Sequence, residues 1–155
     1  MTSIRVSLVD LYVLRRAGGA LECLVLRRAA GGRCPGSWET VHGHIEDGET
    51  PADAARRELA EETGLAPERL YNLSRVEAFY QHRVDEVALV PVFAAFVAPE
   101  RQVRTSVEHD GFEWLRPAAA RHRFAWPRES RALDDVIAIL GQGGAGPVED
   151  VLRVC

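Results

Sequence analysis

Apolar residues fall along this chain in short runs with two different periods. Ile4 to Leu14 and Leu21 to Arg28 are rich in branched and large apolar side chains, and the intervening Ala17-Gly18-Gly19-Ala20 turn predicts a hairpin. Ala29 to Ser37 is a glycine- and proline-bearing loop, followed by a short extended piece over Trp38 to Ile45. Tyr71 to Tyr80 and Val87 to Val97 read as two further strands, with Pro91 demoting part of the second to an edge or a bulge. Arg128 to Leu140 has the helical period instead and places Leu133, Val136, Ile137 and Leu140 on one face. Strands flanking helices predict an α/β sandwich, a single domain over residues 1–140. The tail, 141–155, is open between disorder and docking as a short strand or helix. No internal repeat or second-domain linker is evident.

One segment departs from this apolar patterning. From Gly43 to Leu65, GHIEDGETPADAARRELAEETGL carries Glu58, Glu61 and Glu62 at helical spacing behind an arginine and a glycine-bearing loop. Thr50 is a suitable N-cap, Pro51 stands at the favoured first position, Asp53 lies in the first turn and Gly64 supplies the stop. Residues i, i+3 and i+4 share a helix face, so three carboxylates there repel one another unless a cation neutralises them. Oxygen-only ligands select a hard ion, magnesium with manganese able to substitute, which keeps several waters and is shared with substrate phosphates.

At these residues the chain resembles the Nudix box: Gly43, Glu49, Arg57, Glu58, Leu59, Glu61, Glu62, Gly64 and Leu65 fill every fixed position of that pattern. The resemblance covers residues 4 to 140 and implies the Nudix fold, an α/β/α sandwich with a central mixed sheet. WETVHGHIEDGE, SVEHDGFEWL and FAWPRESRAL look like the branch that hydrolyses dATP and dihydroneopterin triphosphate. It implies metal ligation by Glu58, Glu61, Glu62, the main-chain carbonyl of Gly43 and, from the later Glu-His segment, Glu108. Arg57 is expected to orient a box carboxylate, with Glu49 accepting from the loop. Glu58, Glu61 and Glu108 are all candidates for the general base. An imidazole makes His109 a further candidate, but beside a carboxylate it reads as a hydrogen-bonded structural residue.

Composition narrows the partners. Net charge is −4, which provides no basic face for duplex nucleic acid, and all 19 basic residues are arginine, so a phosphate clamp must use forked guanidinium contacts. Cys23, Cys34 and Cys155 are too few and too scattered for a disulfide framework or a zinc site. With no signal-peptide h-region and no membrane-length apolar run, a reducing cytoplasm is the expected compartment. A monomer or homodimer is expected.

Arg27 and Arg28, ending a strand that faces the site, are candidate phosphate contacts, as are His42 and His44 beside Gly43. Trp38, Phe79, Tyr80 and Trp126 are candidates for stacking a base, against the plainer reading that they pack the core. The expected substrate is a nucleoside or pterin triphosphate cleaved to pyrophosphate and a monophosphate. The alternatives are a Nudix hydrolase of dinucleoside polyphosphates or nucleotide sugars, and a catalytically silent nucleotide sensor.

Overall fold

The computed structural model describes residues 1–155. Strands β1 (Ser3–Val6), β2 (Leu8–Ala17), β3 (Ala20–Arg28), β4 (Trp38–Glu39) and β5 (Val41–His44) precede helix α1 (Pro51–Thr63). After it come β6 (Arg69–Gln81), β7 (Glu86–Phe96), β8 (His109–Leu115), α2 (Pro117–Arg123) and α3 (Pro127–Leu140). A 3-10 turn over Gly146–Val148 and α4 (Glu149–Leu152) close the chain. All eight strands belong to one mixed sheet. β7 is its spine, parallel to β1 and β2 on one side and antiparallel to β6 on the other. β2 continues outward to β5 and β3, and β3 carries β8.

Strand alternation distributes the apolar residues to two layers. Val9, Leu11 and Val13 of β2 join Leu24, Leu26, Phe93 and Leu59 under α1, while Tyr12 and Leu14 join Val25, Phe96, Leu133 and Val136 under α2 and α3. This explains why the strands read as unbroken apolar runs: both faces are covered. A fully buried leucine such as Leu59 contributes about 2 kcal/mol by burial. The β2–β3 hairpin turns on Gly18 and Gly19, whose φ values of 58° and 80° are the left-handed pair that a two-residue turn of matching twist requires.

Several expectations need correction. The first predicted strand is two, broken at Ser7, because β1 and β2 pair with successive parts of β7. Pro91 does not make β7 an edge. It lies between the pair Val6↔Leu89 and the pair Asp10↔Val92, and opposite Val76 where the β6 register shifts, so its missing N–H falls at interruptions in the pairing on both sides. Ile137 is 40% exposed, and the buried stripe of α3 runs through Glu129, Ala132, Leu133, Val136 and Leu140 instead. β8 and α2 were not predicted as elements; α2 follows Pro117, and only Ala120 of it is buried. The tail docks. Leu152 and Ala145 enter the core under α3, and the Val154 N–H donates to the Leu70 carbonyl at 2.7 Å.

Candidate active site

Helix α1 starts where the sequence places it. The Thr50 hydroxyl accepts from the Asp53 N–H at 3.2 Å, Pro51 opens the helix, and Gly64 ends it in a left-handed cap. The buried face is Ala54, Ala55, Glu58, Leu59, Glu62 and Thr63, a stripe of period four in which two alanines bring the helix close to the sheet. Glu58 and Glu62 therefore point inward at the margin of the core, while the Glu61 side chain is 58% exposed.

Arg57 ties these acids to the preceding loop. It grips Glu49 with two nitrogens (2.8 and 3.0 Å), donates to the His44 carbonyl at 2.7 Å, and reaches Glu58 at 2.9 Å and Glu61 at 3.2 Å. Gly43 lies directly beneath Glu58. A Cβ at Gly43 would overlap the Glu58 carboxyl carbon and oxygen, so only glycine lets the β5 backbone approach this side chain.

Glu62 is 2% exposed and its Oε2 has no partner. Burial first, then the charges of Glu58, Glu108 and Glu39, push its carboxyl up to about 10. Glu58 is raised by burial, against the opposing pull of Arg57. Ligand atoms of Glu62, Glu108 and His109 lie within 4.8 Å of one another. Thus the acid remote in sequence reaches the box helix: Glu108 is exposed at the head of β8 and His109 is buried beside it. His109 Nδ1 also lacks a partner, while its Nε2 is 3.4 Å from Glu39 Oε1. Two orphaned buried polar atoms among clustered carboxylates fit a divalent cation, which would supply the missing counter-charge. The oxygens of Glu58, Glu62, Glu108 and the Gly43 carbonyl are the hard donors magnesium takes.

A cleft of about 1260 Å³ opens beside this cluster, between β5, β6 and the first turn of α3. Arg28 and Glu39 connect the two. Arg28 Nη1 donates to Glu39 at 2.7 Å, and both residues line the cleft. Burial alone would raise Glu39; the hydrogen bonds from His109 and Arg28 and the Arg28 charge outweigh it and hold the carboxyl below its ordinary value. His42, His44, Phe79, Tyr80 and Trp126 also line the cleft, together with Arg33, Arg128 and Arg131. The Tyr80 hydroxyl already donates to Asp85 at 2.8 Å. His42 turns away from the acids and bonds Asp10 through Nδ1 at 2.6 Å.

Two expected contacts are not brought to the cleft. Arg27 alternates to the opposite face from Leu26, pairs with Asp110 at 2.7 Å and lies over Trp38. Trp38 packs against the α2–α3 core under Arg123, so it serves the core rather than a base.

Four polar residues outside the candidates read from the sequence lie near this cleft: Asp10, Glu39 and Glu129, which are buried, and Arg128, which is half-buried. Asp10 is fully buried and accepts from both His42 and Arg128 Nε, the latter at 3.1 Å. Burial would raise Asp10, but these two partners keep its carboxyl low. Glu129 accepts the Thr40 N–H at 2.6 Å; burial, reinforced by the Asp10 charge, raises its carboxyl well above the ordinary range. One signal was available for Asp10, a lone acid inside the apolar run LVDLYVL, and a similar one for Glu129, an acid on the apolar stripe of α3.

Comparison with known proteins identifies the family and the fold. The NUDIX domain family matches residues 5–136. An octanoyltransferase of Myxococcus xanthus is 38% identical over 122 residues, 74% of this chain and 32% of that protein. An isopentenyl-diphosphate Delta-isomerase of Corynebacterium diphtheriae is 31% identical over 119 residues, 72% of this chain and 63% of that protein. The chain thus spans about a third of the first relative and under two thirds of the second. Among solved structures, a C. elegans Ap4A hydrolase binary complex superposes with a TM-score of 0.73 at 24% identity, covering 87% of this chain and 97% of that one. The E. coli dihydroneopterin triphosphate pyrophosphohydrolase gives 0.67 at 24% identity, covering 89% and 99%. At such identities the likeness establishes a shared fold. No helix is long and apolar enough to cross a membrane.

Proposed function

Because the chain belongs to the Nudix hydrolase family, whose members act on phosphoanhydride bonds, we propose that it is a magnesium-dependent pyrophosphohydrolase of a nucleoside or pterin triphosphate, releasing pyrophosphate and a monophosphate. The observation that carries this reading is the continuity between an acid cluster lacking counter-charge and an arginine-lined cleft, joined through Arg28 and Glu39. Manganese is expected to substitute for magnesium.

Glu58, Glu62, Glu108 and the Gly43 carbonyl would hold the cation, with Glu61 toward a second ion or its water. When bound, it neutralises phosphate oxygens and lowers the pKa of the attacking water. Arg57 keeps Glu58 and Glu61 in register with the loop, so that the carboxylates do not splay apart under their mutual repulsion. Glu62, whose carboxyl burial pushes up, would ligate as the carboxylate and so release its proton when a cation is bound. Glu61, exposed and held only by a 3.2 Å contact to Arg57, and Glu108, exposed at the head of β8, are the carboxylates free to take a proton from water. Arg28, fixed by Glu39, and Arg33 and Arg131, which have no acidic partner, face the polyphosphate from the cleft. The branch resemblance in SVEHDGFEWL and FAWPRESRAL supports a triphosphate, and the E. coli dihydroneopterin triphosphate pyrophosphohydrolase shares the fold.

A second reading, a dinucleoside polyphosphate, is favoured by the cleft volume alone, which exceeds the roughly 300–1,000 Å³ of ordinary small-molecule sites. Comparison of kcat/KM across triphosphates, dinucleoside polyphosphates, ADP-ribose and nucleotide sugars, with products identified by mass, decides between them. The triphosphate reading expects pyrophosphate as product and at least about a tenfold margin, roughly 1.4 kcal/mol. A tenfold margin for any other class overturns it.

A further inference from the structure

The cleft contains a guanidinium whose pairing suits it to a base rather than to a phosphate. Arg128, in the first turn of α3, has its Nε bonded to the fully buried Asp10, whose other oxygen is bonded by His42. Its side chain is 16% exposed and lines the cleft, and neither Nη makes a hydrogen bond within the protein. Asp10 neutralises its charge, so little net attraction for phosphate remains, while the Nη donors of this cleft-lining residue are left without a partner in the protein. Around it are flat apolar walls. The rings of Phe79 and Trp126 lie 5.4 and 5.7 Å from the guanidinium carbon; Phe79 is fixed by packing against Leu8, Ala88 and Val90, and Trp126 is partly exposed.

We propose that Arg128 reads the edge of the substrate base, selecting an oxo group next to a ring nitrogen, as in a 6-oxopurine or an oxo-pterin, over the amino-substituted edge of adenine. This rests on the triphosphate reading above for its substrates, but not for its chemistry. The forked Nη donors match two adjacent acceptors, as the O6 and N7 of guanine present, whereas adenine offers one acceptor and sets an amino donor against the second N–H. A planar base lying in line with the guanidinium can stack on the same rings. Asp10 and His42 are positioning residues in this arrangement: they hold the fork and touch no substrate.

Four triphosphates that differ only in the base test the proposal without altering the protein. With magnesium present, kcat/KM for GTP and ITP should exceed that for ATP by about tenfold to a hundredfold, because ITP keeps O6 and N7 and lacks only the 2-amino group. 7-Deaza-GTP, which loses one acceptor, should fall between them. Arg128→Gln, whose amide can pair with the adenine edge, should bring ATP level with GTP or above it. Arg128→Lys keeps the charge opposite Asp10 but not the fork, and should lose the preference for GTP. Calorimetric titration of GMP, IMP and AMP in magnesium-free buffer reads the same preference in Kd, with no turnover required. If triphosphates are not cleaved yet GMP and IMP outbind AMP, the proposal stands and the triphosphate reading falls. If triphosphates are cleaved with ATP equal to GTP, or with ITP as poor as ATP, Arg128 does not read the base and the proposal is overturned.

Discussion

Two sets of buried charges flank the sheet, and they solve the same problem in opposite ways. In the set around Asp10, the fully buried carboxylate has two cationic or protonatable partners, His42 and Arg128, and stays ionised. In the set around Glu62, acids gather against one another, one carboxyl oxygen and one imidazole nitrogen lack partners, and the proton is retained. In the first the Asp10 charge is compensated within the protein, although Glu129 Oε1 and the Tyr12 hydroxyl nearby also lack partners; in the second the charge itself needs a cation. Burial of acids is therefore no sign of a binding site by itself. An unmet requirement for counter-charge is the sign, because such an arrangement destabilises the empty fold and persists only where a ligand relieves it.

The largest test of this contrast is Glu62→Gln, which keeps the shape and removes the charge. Turnover should fall on the order of a thousandfold, about 4 kcal/mol, while circular dichroism stays native. Unchanged turnover at saturating magnesium would remove Glu62 from the metal site. The mirror experiment is Asp10→Asn. There the charge is compensated, so removing it strands Arg128 and should destabilise the protein by about 3 kcal/mol in urea denaturation, with no dependence on added metal. A loss that magnesium repairs would mean the two sets are not independent.

Acid–base linkage sharpens the comparison further. Glu62 titrates near 10 when folded against an ordinary 4.5, so between these values the folded protein holds a proton the unfolded chain has released. Stability of the metal-free protein should therefore fall as pH rises across that window, an effect on the order of 2 kcal/mol. Melting in chelator from pH 5 to 9 should show this decline, and Glu62→Gln should abolish it. Magnesium binding near pH 7 should release about one proton, visible as a buffer-dependent heat. A melting curve that rises with pH in chelator, beyond its change in Glu62→Gln, would contradict the assignment.

The smallest expected effect separates neighbours in sequence. Arg27→Ala removes an exposed pair with Asp110 on the far face and should alter kcat/KM by less than about twofold, within roughly 0.5 kcal/mol. Arg28→Ala leaves buried Glu39 without its guanidinium and should cost clearly more in both KM and stability. Equal effects from the two would show that strand alternation does not decide which arginine serves the cleft.

Legibility in the sequence followed the range of the contacts. The helix carrying Glu58, Glu61 and Glu62, its Thr50 cap and its Gly64 stop depend on neighbours within a few residues, and all were readable. The reason for Gly43 was not, since it is set by Glu58 packing from another element. Pro91 gave a correct warning of irregularity and a wrong suggestion of an edge, because whether a missing N–H matters depends on the strands alongside. Glu39 and Arg128 carried no periodic signal at all; each acquires a role through a partner, Glu39 through Arg28 eleven positions away and Arg128 through Asp10 118 positions away.

What the sequence by itself determined, then, is the family, the α/β layering and the acidic helix face, because the box pattern, strand alternation and helix capping act over short distances. Only the tertiary structure decided that Glu62 is buried without a partner, that Glu108 and His109 reach it from β8, and that Arg128 rather than Arg27 fronts the cleft. Those outcomes depend on desolvation and on which face of a strand meets which helix, and both exist only once the sheet has closed around its two cores.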